Sequence, residues 1–160
     1  MSGWANFFFA QVGASAGLAG LLFVGVSINL KQIMESKHLP DFALKALVFL
    51  LAVVVQSSLM LVPEQSQLAI GIEVLVVTAG MWFFVVAIDR QMWRATEPIW
   101  RSVIVRNIVI SQAVALLYVI AGVSILIWGK GGLYWLVPAV LFSILIALRG
   151  AWVLLVEINR

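Results

Sequence analysis

Cysteine is absent from this chain of 160 residues, histidine occurs once, and charged residues make up 11%. Without cysteine there is no disulfide, no thiolate nucleophile and no Cys-ligated metal. The one histidine, His38, lies in the polar stretch KQIMESKHLP and reads as a solvated loop side chain rather than a ligand. Also missing are an H-E-x-x-H motif, a serine with a histidine partner in an apolar segment, paired intramembrane aspartates and a phosphate-cradling loop. No catalytic residue, metal site or cofactor is therefore assigned, and an intramembrane enzyme ranks last among the readings.

The shortage of charge excludes an ordinary soluble domain, in which about a quarter of the residues are charged. What fills its place is apolar: 64% of residues are hydrophobic and the mean hydropathy is +1.12. Apolar runs of about 18 or more residues with few or no charges can cross a hydrocarbon layer, and the chain has five such segments. They cover residues 7–30, 42–62, 68–88, 103–128 and 133–156. Backbone groups find no water in lipid, so each segment is expected to be a helix. The sequence thus predicts an all-α integral membrane bundle of five transmembrane helices in a single domain, residues 1–160. Lys45 falls near the end of the second segment, where its long stem can snorkel to the surface.

Net charge is +3, and its placement points to topology rather than to nucleic acid. Lys31, Lys37, Lys45, Arg90, Arg94, Arg101, Arg106, Arg149 and Arg160 fall on one side of the five segments; Lys130 falls on the other. The basic side is expected to be cytoplasmic, which puts the N-terminus outside and the C-terminus inside. The opening MSGWANFFF carries no positive charge, so the first segment reads as a retained span and not as a cleaved signal. Trp4, Trp128, Tyr134 and Trp135 fall at the outer interface and Trp93, Trp100 and Trp152 near the inner one, as amphipathic rings do. Trp82 falls deeper. In the third loop, RATEPIWR reads as a helix start, with Thr96 capping ahead of Glu97 and Pro98. Arg90, Arg94 and Arg101, in this basic, tryptophan-bearing loop, read as a surface for anionic lipid or a cytoplasmic partner, with plain interfacial anchoring as the alternative.

The first segment spends many positions on small residues. On a helical wheel Asn6, Ala10, Gly13, Gly17, Gly20 and Ser27 form one stripe, and Gly13 and Gly17 have G-x-x-x-G spacing. Small side chains let two helix backbones approach closely in lipid, so Gly13, Gly17 and Gly20 are expected to be packing residues, within the chain in preference to between chains. The opposite face carries Gln11, Ser15, Leu22 and Asn29, and an amide facing lipid would lose its hydrogen bonds. Both faces then call for protein, which predicts that this helix is central to the bundle. The stretch GASAGLAGLLFVGVSINL, and more loosely ALVFLLAVVVQSSLMLVP, resembles small uncharacterised bacterial multi-pass membrane proteins with a Gly/Ala-rich first span. The resemblance implies a bacterial inner membrane and no activity.

Within the segments, Glu73 stands as the one deep carboxylate. It is expected in a polar layer with some of Gln11, Gln56, Ser57 and Ser58. Intramembrane carboxylates are candidates for proton or cation handling, but the absence of a basic residue at that depth favours a structural hydrogen-bonding role. Asn107 and Ser111 share a face of the fourth segment, Gln112 is the most central polar residue, and Arg149 can snorkel or reach Asn29 or Asn107. The first functional expectation is a non-enzymatic protein surrounded by membrane lipids that acts by assembly, as a homo-oligomer or in a larger membrane-protein complex. The alternative is a small homo-oligomeric channel or proton or cation conduit using Glu73 and Gln112.

Overall fold

The computed structural model of the protein describes residues 2–36, 38–96 and 101–158. Lys37, Glu97, Pro98, Trp100 and Arg160, used above in the charge count, the aromatic belt and the helix start, lie outside the described residues, as does the side chain of Lys130. The described chain is helical: α1 (Ser2–Ile28), α2 (Leu30–Glu35), α3 (Leu39–Leu59), α4 (Gln67–Ala95), α5 (Arg101–Trp128), a 3₁₀ segment (Gly129–Trp135) and α6 (Leu136–Ile158). Among the described residues, five helices are long and apolar enough to cross a membrane.

Local chemistry sets several of the ends. Ser66 caps α4, its Oγ accepting from the Ala69 N–H at 3.2 Å. Pro40 sits in the first turn of α3, where its missing N–H costs no intrahelical bond. Gly129 takes a left-handed φ of 60° where α5 passes into the 3₁₀ segment, a conformation open to glycine without a steric penalty. The sequence reading ends the third span at 88, ahead of Asp89 and Arg90, whereas α4 runs on to Ala95. Those charges lie on the helix and not in the loop after it.

Helix α3 is the middle of the bundle, packing against α1, α4 and α6, while α5 packs chiefly against α4 and the 3₁₀ segment. Its buried Phe49, Val53 and Ala52 meet Val74, Val85, Val114, Tyr118 and Val140 in the main apolar core. A second cluster, around Leu22, Ile33, Ala46, Leu50 and Leu154, joins α1, α2, α3 and α6. Glycine makes room where α4 meets α5: a Cβ on Gly122 would come within 2.7 Å of the Leu75 side chain, and one on Gly71 would overlap Leu126.

Helix α1 is not central, contrary to the expectation. It is the least buried of the five candidate spans and packs mainly on α3, from the edge. Its inward stripe is Phe8, Ser15 and Leu22, flanked by half-buried Gln11 and Asn29. The stripe of small residues faces outward: Gly13, Gly17 and Gly20 are exposed, and a Cβ added to any of them would meet nothing within 4 Å. The expectation that these glycines pack within the chain is therefore corrected. One face of the helix suffices to seat it on α3, and that face is the one bearing the amides.

Candidate functional site

The most elaborate polar arrangement lies between α3, α4 and α5. Lys45 is six residues past the start of α3 and Asp89 six before the end of α4. The two helices are antiparallel neighbours, so both residues lie at one level, about 9 Å along the axis from the helix ends. Lys45 Nζ donates to Asp89 Oδ1 at 2.6 Å, and both side chains are buried. The other carboxylate oxygen, Oδ2, accepts from Gln112 Nε2 at 3.0 Å and lies 3.2 Å from the Ser111 hydroxyl. Gln112 Oε1 in turn accepts from the Trp82 indole N–H. The Ser111 hydroxyl also lies within reach of the Asn107 and Ile108 carbonyls, so its single proton has a choice of acceptors.

Lys45 and Gln112 both donate to one carboxylate. The direction of donation runs from Trp82 through Gln112 to Asp89, met from the other side by Lys45. Such chains polarise one another in a low dielectric, and a buried charge held in this way escapes most of the cost of an unpaired one. The arrangement ties three helices at one level. Sequence reading placed Lys45 at the surface, and the structure overturns this: Lys45 is 3% exposed. The reading of Glu73 as the one deep carboxylate is corrected with it: Asp89 is buried too, and it is Asp89 that pairs with a cation. The signal was present in the equal distance of the two residues from the loop-side ends of adjacent antiparallel helices.

Other predicted polar residues fall into smaller groups. Glu73, on α4 near the opposite end of the bundle, accepts from Gln65 Nε2 at 2.8 Å; the expected layer with Gln11, Gln56, Ser57 and Ser58 does not form around it. Gln56 instead donates to Thr78 Oγ1 at 3.1 Å, and Thr78 to the Val74 carbonyl. The Gln11 Oε1, Ser15 Oγ and Ser57 Oγ atoms are buried without a partner. Asn29 turns back to donate to the Gly25 carbonyl, where α1 gives way to α2. Tyr118 and Ser143 join α5 to α6 with their hydroxyl oxygens 3.0 Å apart, a pair that sequence spacing does not reveal.

Arg90, Arg94, Arg101 and Arg149 gather at one end. Arg90 and Arg94 are exposed one turn apart on α4, and Arg101 places its guanidinium 5.3 Å from the centre of the Trp93 ring, within cation–π range. Arg149 is exposed on α6 and, with Asn107, lines a cavity of about 630 Å³ at that same end. Trp4 and Tyr134 meet at the other end with ring centres 4.9 Å apart, so the aromatic residues form two levels. Among the described residues, no group of three His, Asp or Glu side chains is placed to hold a metal ion. Compared with protein-family models, with curated proteins and with solved structures, the chain gives no significant match.

Proposed function

We propose that this chain is a multi-pass protein of a bacterial inner membrane, with its N-terminus outside and its C-terminus in the cytoplasm. It does no covalent chemistry and acts by assembly through the outward face of α1. One contrast carries the reading. The other long helices turn bulky apolar side chains outward: Leu44 and Leu51 on α3, Phe83 and Phe84 on α4, Val109 and Leu116 on α5, Leu145 and Trp152 on α6. Helix α1 turns out Phe9, Leu21 and Phe23 near its two ends, but between residues 10 and 20 every exposed position is Gly or Ala, Ala10, Gly13, Gly17 and Gly20 among them. Bulky side chains suit lipid, whereas a line of small residues suits close approach of another helix.

A photo-crosslinking residue placed at Ala10 tests this in native membranes, with the same residue at Val109 as the lipid-facing reference. The expected result is a defined adduct at Ala10, with a second copy of the chain or with one other protein. Equal, diffuse labelling at both positions would overturn the reading.

The channel or conduit reading has less beneath it. Glu73 is nine residues before Trp82, the residue bonded to Gln112, which separates the two by about 13 Å along α4. Each is committed to its own partners, Gln65 in one case and Trp82 with Asp89 in the other.

A further inference from the structure

The cavity at the basic end is built from four helices: the start of α3, the end of α4, the start of α5 and the middle of α6. Its volume of about 630 Å³ is within the range of small-ligand sites, about 300–1,000 Å³. Its walls are mostly apolar, and its charged or ionisable lining residues are Lys45, Arg149 and His38, with no Asp or Glu among the described lining residues. Val103 of α5 and Phe142, Leu145 and Arg149 of α6 line it and are themselves exposed. The mouth therefore lies between α5 and α6, on the flank of the bundle that faces lipid if the helices span a membrane.

The floor supplies the second observation. Lys45 is buried and spends one of its three ammonium protons on Asp89. The other two have no acceptor among the described residues. Buried donors left without acceptors are costly, and the side on which Lys45 lines the cavity is where an acceptor has room. Arg149, two to three turns from the end of α6, adds a second cation. Asn107 adds an amide to the lining.

We propose that this cavity binds an acyl-chain anion. Its carboxylate or phosphate accepts from Lys45, Arg149 and Asn107, and its chain leaves through the α5–α6 mouth along Val103, Phe142 and Leu145. An apolar chain alone would leave the cations unused, and a small hydrophilic anion would leave the apolar walls uncovered. The site rests on the membrane reading and not on assembly through α1.

The test reconstitutes the full chain in nanodiscs of phosphatidylcholine containing either phosphatidylglycerol or oleate, and counts retained lipid by native mass spectrometry. Wild-type protein is expected to keep one acyl-chain anion in preference to phosphatidylcholine; the better-retained probe distinguishes a phospholipid from a free fatty acid. Arg149→Gln is expected to lower retention about five- to tenfold, Arg149→Lys to restore most of it, and Arg106→Gln, outside the cavity, to leave it unchanged. Leu145→Trp, at an exposed lining position, is expected to lower retention with Arg149 intact. Equal retention of phosphatidylcholine, equal loss in Arg106→Gln, no effect of Leu145→Trp, or competition by inorganic phosphate would each overturn the proposal. A chain that fails to enter the nanodisc would instead sink the membrane reading beneath it.

Discussion

Lys45 and Asp89, 44 residues apart in the chain, are joined Nζ to Oδ1 at 2.6 Å with both side chains buried. Their contact pins α3 to α4, and through Ser111 and Gln112 it reaches α5. Charges of this kind contribute less by attraction than they would cost if separated. Removing one partner leaves the other buried and uncompensated, whereas removing both leaves only a packing problem.

Lys45→Met or Asp89→Leu alone should therefore lower stability by about 3 kcal/mol or more. The double variant Lys45→Met/Asp89→Leu should recover most of that loss. Unfolding of the detergent-solubilised protein by a graded denaturing detergent, followed by circular dichroism, checks it. A double variant as unstable as the sum of the single ones would show that the pair is not the source of the effect.

Trp82 depends on the same network through Gln112. Gln112→Leu is expected to cost about 1–2 kcal/mol, because it strips an acceptor from the indole N–H and a donor from Asp89. Trp82→Phe in that background should cost less than in the wild type. The coupling, read from a double-mutant cycle, is expected at about 1 kcal/mol, and strict additivity would contradict the bond.

Glycines should divide by location. A Cβ on Gly132 would run into the backbone of Ser124 and Ile125, whereas one on Gly17 meets nothing within 4 Å. Gly132→Ala is thus expected to destabilise the fold by about 1–3 kcal/mol, and Gly17→Ala to leave monomer stability unchanged. Thermal unfolding of both variants at a concentration that keeps the chain monomeric distinguishes them. Equal destabilisation would mean that α1 packs inward on its glycine face after all.

Orientation gives a further prediction. Reporter fusions after Arg160 and within the turn at residues 63–65 should report opposite sides, the first cytoplasmic and the second outside. The same side for both would contradict a five-span topology.

The five spans were legible because long uncharged runs are a one-dimensional signal, and α3 and α5 lie close to where hydropathy puts them. The end of α4 was not legible for the same reason. Asp89 and Arg90 look like the start of a loop unless Asp89 is known to meet Lys45, and that meeting is a property of the helix pair and not of either segment. Lys45 was assigned to the surface because a long flexible amine usually gets there; a buried carboxylate at its own level holds it instead. On α1 the wheel separated two stripes correctly, and the amide-bearing face with Ser15 and Leu22 does turn inward. Which stripe a neighbour takes depends on the shape of α3, which a wheel of α1 does not contain. The cavity was invisible in sequence, since its lining comes from four helices and its polar members are spaced across the chain from Ser36 to Arg149.

Assembly through the outward face of α1 is open to native mass spectrometry. The chain is released from its own membrane with surrounding lipid, as wild type and as Gly17→Leu. The prediction is a defined complex, with itself or with one other protein, that falls to a folded monomer in Gly17→Leu. A wild-type chain that leaves the membrane as a monomer, or a complex that Gly17→Leu leaves intact, would contradict it.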